Sequence, residues 1–215
     1  DDVEVKDVDG RKTLISLKHK QAGETVGTLS VDFWKSVRIW LDRYIRDGKV
    51  ACEHSYCMAT TARVGSGSML RYFQSGANPM PADFADQLVA ELEGSATKLS
   101  GQIKASLTSL TDDERRDFFA RIVIADSSLR IKELDAAFAS HLRSVPPRFR
   151  VDVRERLEGW WFGQSIDVIQ RGRDPLTGAE VWAKFASISS QYQDDDLPIT
   201  FGDACPPGGV DPLND

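Results

Sequence analysis

The opening twenty residues, DDVEVKDVDGRKTLISLKHK, constrain the fold more than any other stretch. Val3 and Val5 alternate with Glu4 and Lys6, the two-residue period of a half-buried strand. Asp9-Gly10 supplies a tight hairpin turn. A second strand follows, with Leu14, Ser16 and Lys18 on one face and Ile15, Leu17 and His19 on the other.

The next segments alternate in type. QAGETVGT reads as a loop, and Ser30 or Asp32 can cap a helix that spaces Phe33, Val37, Trp40, Leu41 and Tyr44 along one side. Lys35, Arg38 and Arg46 lie elsewhere on that helix, and Gly48 ends it. VACEHSYCMATT predicts a third strand, and GSGSMLRYF a glycine-serine turn into a short helix. Strand, strand, helix, strand, helix is an α/β arrangement.

After Pro79 and Pro81 the texture becomes helical. Phe84, Leu88 and Leu92 share one helix face, and Leu99, Ile103, Leu107 and Leu110 another. TDDERRDFFARIVIAD opens with a capping box from Thr111 to Glu114, and its expected inner stripe is Phe118, Ile122 and Val123. Further helices are expected through Ile131–Leu142, around Leu157–Ile169, and through Val181–Tyr192. The fold class expected is therefore α+β: an α/β module over 1–78, then an all-α helical domain over 79–215.

Composition narrows the function classes. No run of roughly 18 apolar residues occurs, which excludes a long apolar spanning helix. The basic-then-apolar pattern of a signal peptide is missing as well. The chain starts on an acidic pair without an initiator Met, so a fragment whose natural N-terminus lies upstream is the expectation. Three cysteines (Cys52, Cys57 and Cys205), few and odd in number, fit a reducing cytoplasm. A zinc site through Cys52, His54 and Cys57 lacks a second ligand pair. Residues 1–78 carry 12 Lys and Arg against 10 Asp and Glu, which leaves room for a local basic face despite a net charge of −6.

The hairpin also carries chemistry. An Asp heading one strand and a Lys inside the next form the skeleton of a metal-dependent nuclease site. Carboxylates hold Mg²⁺, the metal lowers the pKa of a bound water, and the Lys offsets charge developing on the phosphate. Asp2 and Lys18 occupy those positions, but Ser16 stands two residues before the lysine, where Glu, Asp or Gln is usual. A Ser hydroxyl is a neutral, short donor and acceptor.

The stretch from Asp1 to about Phe73 resembles the restriction-like, (D/E)-x-K double-stranded DNA endonuclease domain that heads several bacterial anti-phage effectors. DDVEV, LISLKHK, VDFWKSVRIWLDRY and CMATT carry the likeness. The remainder resembles the C-terminal domain of Lamassu-type, ABC three-component defence effectors through FFARIVIAD, ERLEGWWFGQSIDVI and DDDLPITF. The resemblance implies Asp2 as metal ligand with Asp1 as near substitute, Lys18 as catalytic lysine, and Ser16 on the Gln/Glu position. It implies Mg²⁺, with Mn²⁺ as a substitute, and double-stranded DNA as substrate. The implied partners are an SMC-like ABC ATPase and a small middle subunit, with self-association bringing two sites together. Catalytically inactive alternatives stay open: a pseudonuclease scaffold, or a DNA-binding module without cleavage.

Other residues carry weaker signals. Lys20, Lys35 and Arg38 are candidate phosphate contacts, and solvated surface charges are the plain alternative. His19 is expected in the core or behind the site. Thr60, Thr61 and Gly65-Ser66-Gly67-Ser68 could hold an anion, or could do ordinary turn chemistry; no Lys-Ser/Thr pair follows the glycines, so this is not a Walker A loop. Trp160 and Trp161 diverge by about 100° on a helix, so one can fill the core while the other meets a partner, and an entirely intramolecular role is the equal alternative. Asp194, Asp195 and Asp196 read as a solvated acidic loop.

Overall fold

The hairpin forms around a turn held by its own first side chain. The Asp7 carboxylate accepts the backbone N–H groups of Asp9 and Arg11, both at 2.9 Å. Gly10 takes φ +87°, a left-handed conformation open to glycine at little cost. Strand β1 (Val3–Lys6) thereby pairs antiparallel with β2 (Lys12–Lys18), in a register that sets Val3 opposite Ile15 and Lys6 opposite Lys12. The computed structural model describes residues 3–77, 79–94, 97–143 and 145–192. It divides into two units, residues 1–130 and 131–215.

In the first unit helix α1 (Val31–Arg46) follows β2 and leads to β4 (His54–Thr60). Strand β4 lies parallel to β2, from Lys12 opposite His54 to Lys18 opposite Thr60. A two-residue strand β3 (Thr25–Val26) pairs with β5 (Arg63–Val64) beside the main sheet. Helices α2 (Phe84–Glu93), α3 (Lys98–Thr108) and α4 (Asp112–Ala120) come next. The expected Thr111–Glu114 capping box is present in both directions.

One expected helix segment is a strand. The helix ends at Ala120, and Ile122–Ala125 forms β6, parallel to β4, so that the sheet order is β1-β2-β4-β6. Phe118 and Ile122 fit a helical stripe, but Ile122, Val123 and Ile124 are a β-branched run suited to a pleated surface. Ile122 and Ile124 are buried and Val123 is exposed, the alternation of a strand. Residues 79–130, assigned from sequence to a second, all-helical part, therefore include a strand and share the first unit's core.

That core lies on one side of the sheet. Phe33, Val37, Trp40, Leu41 and Tyr44 of α1 pack over Leu14, Tyr56 and Met58, with Leu88, Ile103, Leu107, Phe118 and Phe119 from the later helices. Each such side chain contributes about 1.5–3 kcal/mol on full burial. The other face carries Val3, Val5, Ile15, Leu17, Cys57, Ala59 and Val123, none of them in the buried cluster. The only hydroxyls opposed across its β2–β4 pairing, those of Thr13 and Ser55, satisfy each other at 2.9 Å.

Arg121, just past α4, ties the lower edge together. Its guanidinium donates to the carbonyls of Val50, Cys52 and His54 and to the Asp117 carboxylate. Asp117 also accepts the Tyr44 hydroxyl at 2.8 Å, which links α1 to α4. Nearby, Glu4 pairs with Lys12 at 2.8 Å, Arg43 with Asp47 at 2.6 Å, and His54 Nδ1 lies 3.4 Å from Asp47.

The second unit holds α5 (Ile131–His141), α6 (Arg150–Ile169) and α7 (Gly178–Ser189). Its described regular elements are helices, around a small core of Leu142, Val145, Val153 and Ile188. Arg173 joins Gln164 of α6 to Glu180 of α7. No helix among the described residues is long and apolar enough to cross a membrane.

Leu14→Ala should lower unfolding free energy by about 2–5 kcal/mol, because Leu14 is buried beneath α1. Leu17→Ala, on the open face at 53% exposure, should change it by no more than about 0.5 kcal/mol; urea unfolding compares the two.

A second expectation concerns acid. Burial holds the His54 imidazole below its ordinary range and outweighs the attraction of Asp47. The unfolded chain takes up that proton first as pH falls, so stability is fully present above about pH 6.5 and declines toward the lower folded value. Glu4 is held low by its Lys12 pair; for Asp47, burial acts upward but Arg46 and Arg43 prevail and hold it low. These two extend the loss below about pH 4. Melting curves from pH 7 to 3 should show both steps, and His54→Gln should flatten only the upper one.

Candidate functional site

Parallel pairing of β2, β4 and β6 gathers their carboxyl ends, and the loops that follow them, along one edge of the sheet. Lys18 is the last residue of β2, opposite Thr60. Its side chain is half-buried, and among the described residues its ammonium has no ion-pair or hydrogen-bond partner. The two expected metal ligands, Asp1 and Asp2, lie outside the described residues, as do Asp194, Asp195, Asp196 and Cys205.

Ser16 lies on the same face as Lys18 but is 4% exposed beneath α1. Its Oγ accepts the Ser36 hydroxyl at 2.9 Å, and the same Ser36 Oγ reaches the Asp32 carbonyl at 3.1 Å, a back-bond to the residue four before it in the helix. The Ser16 hydroxyl is thus part of the β2–α1 packing. Among the described residues no group of three His, Cys, Asp or Glu side chains could hold a metal.

The loops at this edge are clamped by hydroxyls and one arginine. Lys20 N–H donates to Thr61 Oγ1 at 2.8 Å, and that hydroxyl donates back to the Lys20 carbonyl at 3.0 Å. Arg130 donates to the carbonyls of Lys20 and Thr61. Thr60 Oγ1 accepts the Ala62 N–H at 3.2 Å, and Ser68 caps the short 3-10 helix Met69–Phe73. Thr60, Thr61 and Ser68 therefore do turn and capping work.

The basic candidates separate. The Lys20 ammonium is 2.5 Å from the Asp32 carboxylate, and that hydrogen bond raises its pKa above the ordinary lysine value. Lys35 and Arg38 are exposed on α1. Arg38 lines a groove of about 510 Å³ with Val3, Glu4, Leu14, Ile39, Asp42, Arg43 and Arg46, so acids and bases alternate there. His19, expected in the core or behind the site, is exposed. In the second unit Trp160 is half-buried and Trp161 is 51% exposed.

A second cavity, of about 550 Å³, lies beside the carboxyl end of β6, lined by Arg71, Tyr72, Asp126 and their neighbours. It was not legible in the sequence, because Asp126 marks a strand end only once β6 is recognised as a strand. Ser36 was missed for another reason: its meeting with Ser16, 20 residues earlier, arises from helix-on-sheet packing. Comparison with protein-family models, curated proteins and solved structures finds no match to this chain.

The Ser16–Ser36 contact makes a measurable prediction. Ser16→Ala and Ser36→Ala should each cost about 0.5–1.5 kcal/mol, and the double variant less than the sum of the two. Strict additivity in denaturant unfolding would mean that the hydroxyls are not coupled.

Proposed function

We propose that this chain is the DNA endonuclease subunit of a bacterial defence complex, with a restriction-like core, cutting duplex DNA by metal-assisted phosphodiester hydrolysis. The observation that carries the reading is the order hairpin, crossing helix, parallel strand, with Lys18 uncommitted at the carboxyl end of the central β2. In this reading the Lys18 ammonium sits where a phosphate oxygen gains charge, and a rigid strand holds it there before the reaction begins.

The metal is a separate matter. Among the described residues no group of three His, Cys, Asp or Glu side chains stands by Lys18 to hold Mg²⁺ or Mn²⁺. The reading therefore assigns the ion to Asp2, with Asp1 beside it in sequence, and gives Ser16 a packing role. Lys20, Lys35 and Arg38 are assigned to the DNA backbone, Lys20 by exchanging Asp32 for a phosphate. The half-exposed Trp161, with Trp160, is assigned to docking on an SMC-like ABC ATPase and a small middle subunit. Self-association would bring one active site to each DNA strand, in the cytoplasm of the host cell.

The engagement of Ser16 with Ser36 favours one rival: a pseudonuclease scaffold that binds the ATPase partners or DNA without cutting. Plasmid DNA incubated with the protein, its ATPase partners and Mg²⁺ or Mn²⁺ separates the two. The nuclease reading expects nicking that falls about 100-fold or more in Lys18→Ala and persists in Ser16→Ala. Nicking that survives Lys18→Ala removes the assignment, and no nicking with either ion leaves the scaffold.

A further inference from the structure

Strand β6 ends at Ala125, and Asp126 follows directly at the carboxyl end of a parallel strand. β6 is the edge strand of the sheet, and a crevice opens outside its carboxyl end. Here that crevice is walled by the segment from Arg71 to Ala77, which Gln74 pins to the sheet through a parallel bridge with Ile124. The volume of this open crevice, about 550 Å³, falls within the roughly 300–1,000 Å³ of small-ligand pockets.

The walls carry an unpaired base and an unpaired acid. Arg71 is exposed; its guanidinium lies 5.1 Å from the Tyr72 ring centre and makes only long, 3.4 Å hydrogen bonds, to the Ser66 carbonyl and the Tyr72 hydroxyl. Asp126 accepts the Val64 N–H at 2.9 Å through Oδ2, and a carboxylate has further acceptor positions on both oxygens. Among the described residues neither side chain forms an ion pair, with the other or with any third group. The same cavity is lined by Tyr72, Ile124, Ala125 and Ala77. A ligand suited to this cavity carries an anion at one end, N–H donors at the other, and a flat apolar middle.

We propose that this cavity is a nucleotide subsite, which takes one unpaired deoxynucleotide with its phosphate on Arg71 and the donor edge of its base on Asp126. The choice of a nucleotide among phosphorylated ligands rests on the nuclease reading. Guanine is the base that fits best, because its N1–H and amino group lie side by side and can meet a carboxylate together. That edge is covered in a base pair, so the subsite selects a base that has left the duplex.

Calorimetric titration of the full chain in EDTA, with dGMP, TMP and deoxyguanosine as probes, tests this without any cleavage. The expected result is binding of dGMP in preference to TMP. Arg71→Gln should weaken dGMP at least tenfold and leave deoxyguanosine unchanged, while Arg71→Lys should recover part of the loss. Asp126→Asn, whose amide oxygen can still accept from Val64, should abolish the preference for dGMP. No binding of dGMP, or binding indifferent to both Arg71→Gln and Asp126→Asn, overturns the subsite. Lys18-dependent cleavage without dGMP binding refutes the subsite and keeps the nuclease; dGMP binding without cleavage does the reverse.

Discussion

The parallel pairing of β2 with β4 is the constraint on which the first unit depends. Neighbouring parallel strands cannot be joined by a tight turn, so the chain must return from the carboxyl end of one to the amino end of the other. Helix α1 makes that return, and its Phe33, Val37, Trp40, Leu41 and Tyr44 become the centre of the core. Two arginines far along the chain hold the result at opposite ends of β4. Arg121 binds the carbonyls of Val50, Cys52 and His54 at the amino end, and Arg130 those of Lys20 and Thr61 at the carboxyl end. Carbonyls outside the ladder need partners when partly buried, and each guanidinium offers five donors in a fixed fork. The same pairing, together with the parallel pairing of β6 on β4, places Lys18 and Asp126 at one edge of the sheet, although 108 positions separate them in sequence.

Among the described residues of the first unit, the buried core lies on one side of the sheet. Parallel strands are ordinarily covered on both faces; here α1 to α4 supply the layer on one, and Leu17 and Val123 are exposed and Ile15 and Cys57 half-buried on the other. The polar content of that face is self-satisfied, since Thr13 and Ser55 bond to each other. Packing energy is thus concentrated between α1 and the even-numbered residues of β2 and β4. Position 16 lies in the middle of that layer, where no space is left for an exposed polar group.

Sequence patterns revealed what local chemistry determines. The Asp9-Gly10 turn, the stripe of α1 and the capping box at Thr111 each depend on residues within one or two turns of one another. They failed where a distant partner decides. Ile122 follows Phe118 by four, so the helical stripe continues on paper; pairing with β4 ends the helix at Ala120 and converts IVIA into a strand. The β3–β5 pair is too short, at two residues each, to show a period. At the candidate site Lys18 was legible from spacing along β2. The role of Ser36 was not, because only the docking of α1 brings its hydroxyl to Ser16.

That contact changes what a serine at position 16 means. A carboxylate there would stand 4% exposed under a helix, and burying an ionised group without a cation or several donors costs several kcal/mol. The nearest donor is one Ser36 hydroxyl, already shared with the Asp32 carbonyl. The Lys20 ammonium is held by Asp32. Serine is therefore the residue this packing accommodates: small, neutral, and able to accept the one bond on offer. Lys18, two residues further along the same face, escapes this constraint because the strand ends there and its side chain reaches partly into solvent. The fold thus separates the two halves of the motif. In the proposed nuclease reading the lysine is the group that meets a phosphate, while the Ser16 hydroxyl belongs to the packing of α1 on the sheet. In that reading, a metal would therefore be assigned to Asp2 and Asp1 and not to position 16.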